Sequence, residues 1–355
     1  MGYLKVIKEA FIFFPIIAFF FTIPFILKQY HKYGSINKLR VLIVYSFILY
    51  LMTIYFLVIL PLPSFEYVDK LKTPYTQLIP FKFIYDFIKE TPLVITNYKT
   101  YIKALLDSSF YVVIFNIFMF VPFGMYLKYY YMCSFKKTVL LSFLLSLFFE
   151  LTQLSGLFFI YSRPYRLFDV DDLILNTLGG IIGYKIMQAI HFLPTRESID
   201  KKSFEQGSFV SSLRRIVLFI LDVNLYEFLY LMINAFFNYK YMNYIVLLLY
   251  FVIIPLLSKG KTIGGSFLNV RLEFQNNLLL GLLFRTIILY LYYYYLPLIL
   301  VLLRIEYITK TYLFVILLLL LPLFYLINVI HLFRKKEMFY DKLLKTKYIS
   351  TISKL

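Results

Sequence analysis

The sequence predicts an all-α fold, a polytopic bundle of transmembrane helices, and two observations carry that prediction. Hydrophobic residues make up 61% of the 355 residues and charged residues only 16%, with a mean hydropathy of +0.77, whereas soluble proteins carry about a quarter charged residues. Apolar stretches close to the roughly 20 residues that a helix needs to cross a bilayer recur along the chain. Because backbone groups find no water in lipid, these stretches are expected to be helical.

Nine segments qualify or nearly qualify as membrane spans. The seventh is short, so eight spans remain the alternative. In chain order, the predicted spans are Ala10–Leu27, Val41–Leu62, Ser109–Leu127, Thr138–Leu157, Leu173–Phe192, Ile216–Phe237, Tyr244–Leu257, Leu278–Leu303 and Tyr312–Phe333.

Basic residues predict the orientation of these spans. Lys and Arg cluster after the odd-numbered spans, which places the N-terminus outside and the C-terminus in the cytoplasm. Since these residues sit in short runs between apolar segments, the net charge of +18 indicates membrane anchoring and not nucleic-acid binding. On the outer side, Phe81, Ile84, Phe87 and Ile88 recur at helical spacing with charged residues between them, a pattern that predicts an interfacial amphipathic helix.

A polar stretch divides the chain into two halves. We expect an N-terminal transmembrane anchor with a basic loop over residues 1–39, a first helical membrane domain over 40–193, a polar linker over 194–208 and a second helical domain with a basic tail over 209–355. The single cysteine, Cys133, allows no internal disulfide. No Cys/His metal-binding spacing occurs, and no cofactor is predicted.

Polar side chains inside membrane spans are costly and therefore mark functional candidates. In the first half they gather near the outer ends of the predicted spans and in the loop before the fifth. One interpretation is an outward-facing pocket for a polar head group, a peptide or a cation. The candidates are Asn116, Glu150, Gln153, Arg163, Arg166, Asp169, Asp171, Asp172 and Asn176.

The competing interpretation of this group is structural. Asp171 or Asp172 would cap the following helix, Arg166 would pair with Asp169, and the two asparagines would bond between helices. Within the functional interpretation, Glu150, Asp169 and Asp172 could offer oxygen ligands to Mg²⁺ or Ca²⁺, although the pattern does not define a metal site. Gly179-x-x-x-Gly183 favours close helix packing.

In the second half, ionisable residues approach the inner face. Asp222 and Arg285 lie at similar depth in two spans, which favours an ion pair hidden from lipid; a proton or cation relay is the alternative. The tyrosine run from Tyr290 to Tyr295 lies mid-span. At least part of it should face other helices, where hydroxyl groups find partners.

The first half resembles the VanZ-like family, named for a teicoplanin-resistance protein. The resemblance covers about residues 40–192 and implies lowered susceptibility to glycopeptide or lipoglycopeptide antibiotics. Its motifs are Gln77-Leu-Ile-Pro-Phe81, Asn116-Ile-Phe-Met-Phe-Val-Pro-Phe-Gly124, Glu150-Leu-Thr-Gln153 and Arg166-Leu-Phe-Asp169-Val-Asp171-Asp172, followed by Asn176 and three glycines.

The second half resembles the RDD family, named for an arginine and two aspartates, over about residues 209–351. Arg215 and Asp222 fit its first helix, and Asp341-Lys-Leu343 fits its end. Gly260-Lys-Thr-Ile-Gly264 fits the intervening loop, where Gly265 replaces a basic residue usual in the family. This resemblance implies a membrane module, with transport proposed for relatives.

Together these features predict a multi-pass, non-enzymatic protein of the bacterial cell membrane. It would contribute to teicoplanin-type resistance or envelope homeostasis by binding a lipid-linked cell-wall precursor or the antibiotic at the outer pocket. One alternative is an ion- or proton-coupled transporter using the RDD-like half. Another is a membrane enzyme acting on a lipid-linked envelope precursor. Besides these ligands the expected partner is the lipid bilayer, and no nucleic acid is expected.

Overall fold

A computed structural model describes residues 3–94, 96–275, 277–297, 310–335 and 337–352. Helices dominate it. They are α1 (Tyr3–Tyr33), α2 (Lys38–Ile59), α3 (Phe65–Asp69), α4 (Lys82–Glu90), α5 (Tyr101–Leu105), α6 (Ser108–Tyr129), α7 (Phe135–Leu154), α8 (Gly156–Phe159), α9 (Val170–Ala189), α10 (Arg196–Gly207), α11 (Ser212–Phe237), α12 (Met242–Leu248), α13 (Ile254–Leu257), α14 (Ile263–Phe267), α15 (Leu278–Tyr290), α16 (Lys310–Lys335) and α17 (Phe339–Leu343).

The described residues also form two π-helical segments, a short 3-10 helix at Tyr98–Thr100 and two small sheets. Leu249–Ile253 joins α12 to α13, and Leu291–Tyr295 continues α15. Strands β1 (Thr76–Gln77) and β2 (Phe168–Asp169) pair in parallel. Strands β3 (Val270–Glu273) and β4 (Lys347–Ser350) pair antiparallel, with Val270 opposite Ser350. The sequence analysis predicted none of these strands.

Among the described residues, six helices are long and apolar enough to cross a membrane: α1 from Phe11, α2, α6, α7, α11 and α15 with its π-helical continuation. The shorter apolar helices Met242–Leu257 and Leu320–Arg334 lie at the seventh and ninth predicted spans. Helix α9 occupies the fifth. The predicted end of the eighth span, at Leu303, lies outside the described residues. The prediction of an all-α polytopic membrane protein is confirmed.

The chain forms two compact units. The first contains Met1–Phe20 and Lys38–Ile199, and the second contains Phe21–Asn37 and Asp200–Leu355. The segment 194–208, predicted as a linker, contains the helix α10, which buries Ile199 and Ser203. Polar composition alone did not distinguish this packed helix from a connecting loop.

Close packing of α6 against α9 forms the centre of the first unit. A side chain at Gly179 would collide with the carbonyl oxygen of Ile117, and one at Gly183 with that of Val121. The glycines therefore let the two backbones approach, as the Gly-x-x-x-Gly spacing predicted. Beside them, Phe120 and Phe149 meet edge to face in an aromatic core.

Helix α4 confirms the predicted amphipathic helix. Its described residues are all at least partly exposed, including the apolar Ile84 and Ile88. Apolar side chains left uncovered on a short charged helix suit a position at the bilayer surface. The helix begins after Phe81, which has the left-handed backbone conformation at φ 61°.

Candidate functional site

The parallel pair β1–β2 brings two distant motifs together in the first unit. Gln77 lies opposite Asp169 in the register, and its side-chain amide donates a 3.4 Å hydrogen bond to the Asp169 carboxylate. The same amide group bonds both backbone groups of Ile79. These hydrogen bonds hold β1 and the backbone of Ile79 beside the start of α9.

Asp169 caps helix α9. Its Oδ1 accepts a 2.8 Å hydrogen bond from the backbone N–H of Asp171, which satisfies one of the free donors at a helix start. Burial raises the pKa of Asp169, and the hydrogen bond from Asp171 acts in the opposite direction. The prediction that Asp171 or Asp172 provides this cap was wrong, because the extended residue before the helix holds the capping position.

Asp171 does not cap its own helix. Its carboxylate instead binds the start of α4. Its Oδ1 accepts from the backbone N–H of Phe81 at 2.6 Å and its Oδ2 from that of Phe83 at 2.9 Å. These N–H groups have no partner within α4, and a carboxylate is favoured at a helix N-terminus. Asp171 is only 3% exposed, so this contact positions α4 against α9.

Asp172 connects α9 to both neighbouring helices. Asn116 of α6 donates a 2.5 Å hydrogen bond to its Oδ1. On the α7 side, Ser146 donates to its backbone oxygen and accepts from the amide of Asn176. The predicted interhelical bonds of Asn116 and Asn176 are confirmed.

Glu150 and Gln153 share one face of α7, and each accepts or donates a hydrogen bond that holds a neighbouring backbone segment. Glu150 is 2% exposed, and its Oε2 accepts a 2.8 Å hydrogen bond from the backbone N–H of Asp169. Gln153 donates to the carbonyl of Val58 at 3.1 Å. Glu150 therefore fixes the residue that caps α9.

The two arginines bind backbone carbonyls. Arg166 donates to Val58 and Leu60 at the end of α2, where a cation complements the free carbonyls and the helix dipole. Arg163 donates to Leu71 and Thr73. The prediction of an Arg166–Asp169 pair was wrong, because the guanidinium caps α2 instead.

A cavity of about 280 Å³ opens between α4, the start of α6 and the start of α9. Four of the nine predicted residues line it: Asn116, Asp169, Asp171 and Asp172. Glu150, Gln153, Arg163, Arg166 and Asn176 do not. Lys82, Asp86 and Glu90 of α4 are the other charged residues of the lining. The sequence analysis treated these three only as the polar face of an interfacial helix, although their helical spacing places them together on one side of α4.

The suggested metal ligands do not come together as a metal site. Within the described part of the chain, no group of three or more His, Cys, Asp or Glu side chains is placed to hold a metal ion. Glu150 and Asp169 are instead engaged with backbone N–H groups, and Asp172 with Asn116.

The second unit contains a separate charged network. Arg215 donates to Asp341 in a buried ion pair and stacks on the ring of Tyr348. Arg285 donates to the Tyr348 hydroxyl at 2.7 Å, and this hydroxyl donates to Asp341 at 3.3 Å. The Asp341 carboxylate therefore binds Arg215 directly and Arg285 through the Tyr348 hydroxyl.

Asp222 lies in a different set of hydrogen bonds. Its carboxylate accepts from Tyr250 and Thr262 at 2.8 Å each, and from the backbone N–H of Gly264 at 3.1 Å. The prediction of an Asp222–Arg285 ion pair was wrong, because Tyr250 of the π-helical segment and the start of α14 supply the donors. Asp222 and Arg285 nonetheless line one cavity of about 290 Å³.

Sequence analysis missed one ionisable residue of this unit. Glu227 lies within the span Ser212–Phe237 and lines a further cavity. Because a carboxylate within an apolar span marks a functional candidate, the sequence alone could have identified Glu227.

The fold and the clustered polar residues define a polytopic helical membrane protein. The model of the family described as VanZ/LLP1 matches residues 47–193, so this part of the chain is VanZ-like. The match takes in the cluster around α9 and does not extend into the second half of the chain. No curated protein and no solved structure matches the chain.

Proposed function

We propose that this chain is a VanZ-like protein of the bacterial cell membrane that lowers susceptibility to teicoplanin-type antibiotics. It would do so by binding the antibiotic or a lipid-linked cell-wall precursor in the cavity beside α9. The proposal rests on the match to the VanZ/LLP1 family and on the resemblance described from the motifs.

The observation that carries the proposal is the role of Asp171. This carboxylate fixes α4 in place, and α4 contributes one wall of the cavity while the α9 aspartates contribute another. Residues of motifs that are far apart in the sequence, such as Asn116 and Asp169, therefore line the same cavity. Its lining has Asp86, Glu90 and three aspartates of the α9 start against Lys82, which favours ligands with cationic or hydrogen-bond-donating groups.

A susceptibility measurement tests the proposal. A strain lacking the gene would be complemented with the wild-type chain, Asp172→Ala or Glu150→Ala, with membrane levels matched by immunoblot. We expect the wild type to raise the inhibitory concentration of teicoplanin and both variants to lose most of that increase. Glu66→Gln is the matched control, because Glu66 is an exposed carboxylate of α3 that does not line the cavity. Equal susceptibility with and without the wild-type gene would refute the proposal.

The RDD-like half favours a second candidate function, ion- or proton-coupled transport. Asp222 and Arg285 line one cavity among spans, and intramembrane charges facing a cavity are typical of ion pathways. Proteoliposomes holding a pH gradient would report proton release on addition of Na⁺ or K⁺. We expect Asp222→Asn to abolish the signal and Glu205→Gln, an exposed residue of α10, to retain it. A signal unchanged by Asp222→Asn would exclude this role.

A further inference from the structure

Glu227 is a carboxylate within a membrane span with no ion pair or hydrogen bond to any described residue. It is an exposed residue of α11, and it lines a cavity of about 460 Å³ in the second unit. An ionised carboxylate in this setting requires water or a positive charge beside it, since lipid solvates charged groups poorly. The cavity is where that countercharge can lie.

The walls of this cavity are aromatic. Tyr226 and Tyr230 flank Glu227 on α11, and Tyr290, Tyr293, Tyr294 and Tyr325 face it from the neighbouring segments. Tyr290 and Tyr294 stack with ring centroids 5.0 Å apart, and Tyr293 and Tyr325 lie parallel at 6.3 Å. Each stacked pair holds its two rings in a fixed relative arrangement, and the face of a ring that is not covered by its partner carries the negative potential of the π system.

Irregular helix geometry occurs on two sides of the same cavity. Tyr293 and Tyr294 belong to the π-helical segment Leu291–Tyr295. Phe251, another lining residue, belongs to the π-helical segment Leu249–Ile253. A π-helical turn is less favourable than an α-helical one and is found frequently at functional sites. Tyr290, Tyr293 and Tyr294 are spaced at i, i+3 and i+4, which places them on one side of the helix, and all three line this cavity.

We propose that this cavity, lined by tyrosines around Glu227, binds a monovalent organic cation. The carboxylate balances the charge, and the phenol rings contact the apolar surface of the cation through cation–π interactions. A hard metal ion suits this lining less well, because Ca²⁺ and Mg²⁺ take six or more oxygen ligands, whereas the cavity has a single carboxylate, with Asn243 and Thr286 as the other non-aromatic polar residues among its described lining. The site is distinct from the cavity beside α9. It adjoins the cavity that Asp222 and Arg285 line, with which it shares Tyr293 and Tyr325.

The volume agrees with this ligand class. About 460 Å³ lies within the range of roughly 300–1,000 Å³ found for small-molecule sites. It is larger than a bare or hydrated inorganic ion requires. A bulky cation with delocalised or shielded charge, such as tetraphenylphosphonium, is therefore the appropriate probe.

Binding of radiolabelled tetraphenylphosphonium to the full chain in detergent tests the proposal, with triphenylphosphine oxide as the uncharged competitor. We expect saturable binding that the uncharged compound does not displace. Glu227→Gln should weaken binding about tenfold or more, which is the loss expected for a desolvated charge contact. Glu205→Gln, on the exposed surface of α10, should bind as the wild type does.

A second pair of variants separates ring contact from folding. Tyr230→Phe retains the aromatic face and should retain binding, whereas Tyr230→Leu removes it and should weaken binding. Thermal melting of each variant in detergent confirms that the fold is kept. Equal binding by wild type and Glu227→Gln, or full displacement by the uncharged competitor, would overturn the proposal.

Discussion

The carboxylate of Asp171 and the backbone N–H of Phe81 are joined by a 2.6 Å hydrogen bond across 90 residues of sequence. Asp171 stands in the first turn of α9, and Phe81 precedes α4. A second bond, from Phe83, occupies the other carboxylate oxygen. Both bonds are charge-assisted and partly buried, so this side chain fixes the start of the amphipathic helix beside the start of α9.

Asp171→Asn tests that relationship directly. The amide keeps one acceptor oxygen but sets a donor against a backbone donor, so we expect a loss of about 1.5–3 kcal/mol of local stability. Hydrogen exchange at Phe81 and Phe83 should accelerate accordingly. The control is Asp86→Asn on α4 itself, where the carboxylate makes only an exposed pair with Lys82. Similar exchange rates in the two variants would contradict the assignment.

Gly179→Ala and Gly183→Ala should each separate α6 from α9. The added methyl groups meet the carbonyl oxygens of Ile117 and Val121, and overpacking of this kind costs roughly 1–3 kcal/mol. Thermal melting of the protein in detergent measures the effect. Leu178→Ala on the exposed side of α9 serves as comparison and should melt close to the wild type. Unchanged melting of both glycine variants would show that the helices tolerate a wider spacing.

The stability of the first unit should depend on pH through Asp169. Burial raises the pKa of this carboxyl above its ordinary value of 3.8, so the folded protein holds the proton more tightly than the unfolded chain. Its contribution to stability is therefore complete below that ordinary value and is lost as the pH rises through the raised one. Asp169→Asn keeps a capping oxygen and should flatten this part of the melting-temperature profile. Parallel profiles for the two proteins would contradict the prediction.

Asp341→Asn should destabilise the second unit by about 3 kcal/mol, since it leaves a buried guanidinium without its counterion. Arg215 pairs with Asp341 directly, and Arg285 reaches it through Tyr348. Denaturant or thermal unfolding of the purified protein gives the measurement. Lys342→Gln, the neighbouring substitution, should have a small effect. A double variant with Arg215→Met should recover part of the loss, and no recovery would argue against the pairing.

The membrane-spanning helices could be predicted from sequence because their lengths and apolar composition follow from bilayer thickness. The glycine spacing in α9 likewise predicted its close packing. Asn116 and Asn176 were predicted correctly because an amide in a span needs a partner, and adjacent helices are the only nearby source of one.

Charged residues were harder to predict because their partners are backbone groups. Arg166 binds the end of α2, and Asp171 binds the start of α4. The predicted pairing of Asp222 with Arg285 was wrong for a related reason, since Asp222 accepts from two hydroxyl groups and from the backbone N–H of Gly264 at the start of α14. Unsatisfied groups at helix ends become visible only when the tertiary arrangement places a helix terminus beside a particular side chain.

The contact of Asp171 with the start of α4, 90 residues earlier in the chain, also affects the order in which the helices assemble. During synthesis, α4 emerges well before α9, and its N-terminal N–H groups have no carboxylate to bind until residue 171 has been made and delivered to the same side of the bilayer. Helices α6 and α7 must be inserted in the meantime. The wall of the cavity that α4 forms is therefore completed late in biogenesis, and a nascent chain halted before α9 would hold α4 through its contacts with α6, such as that of Phe87 with Phe110, and not through Asp171.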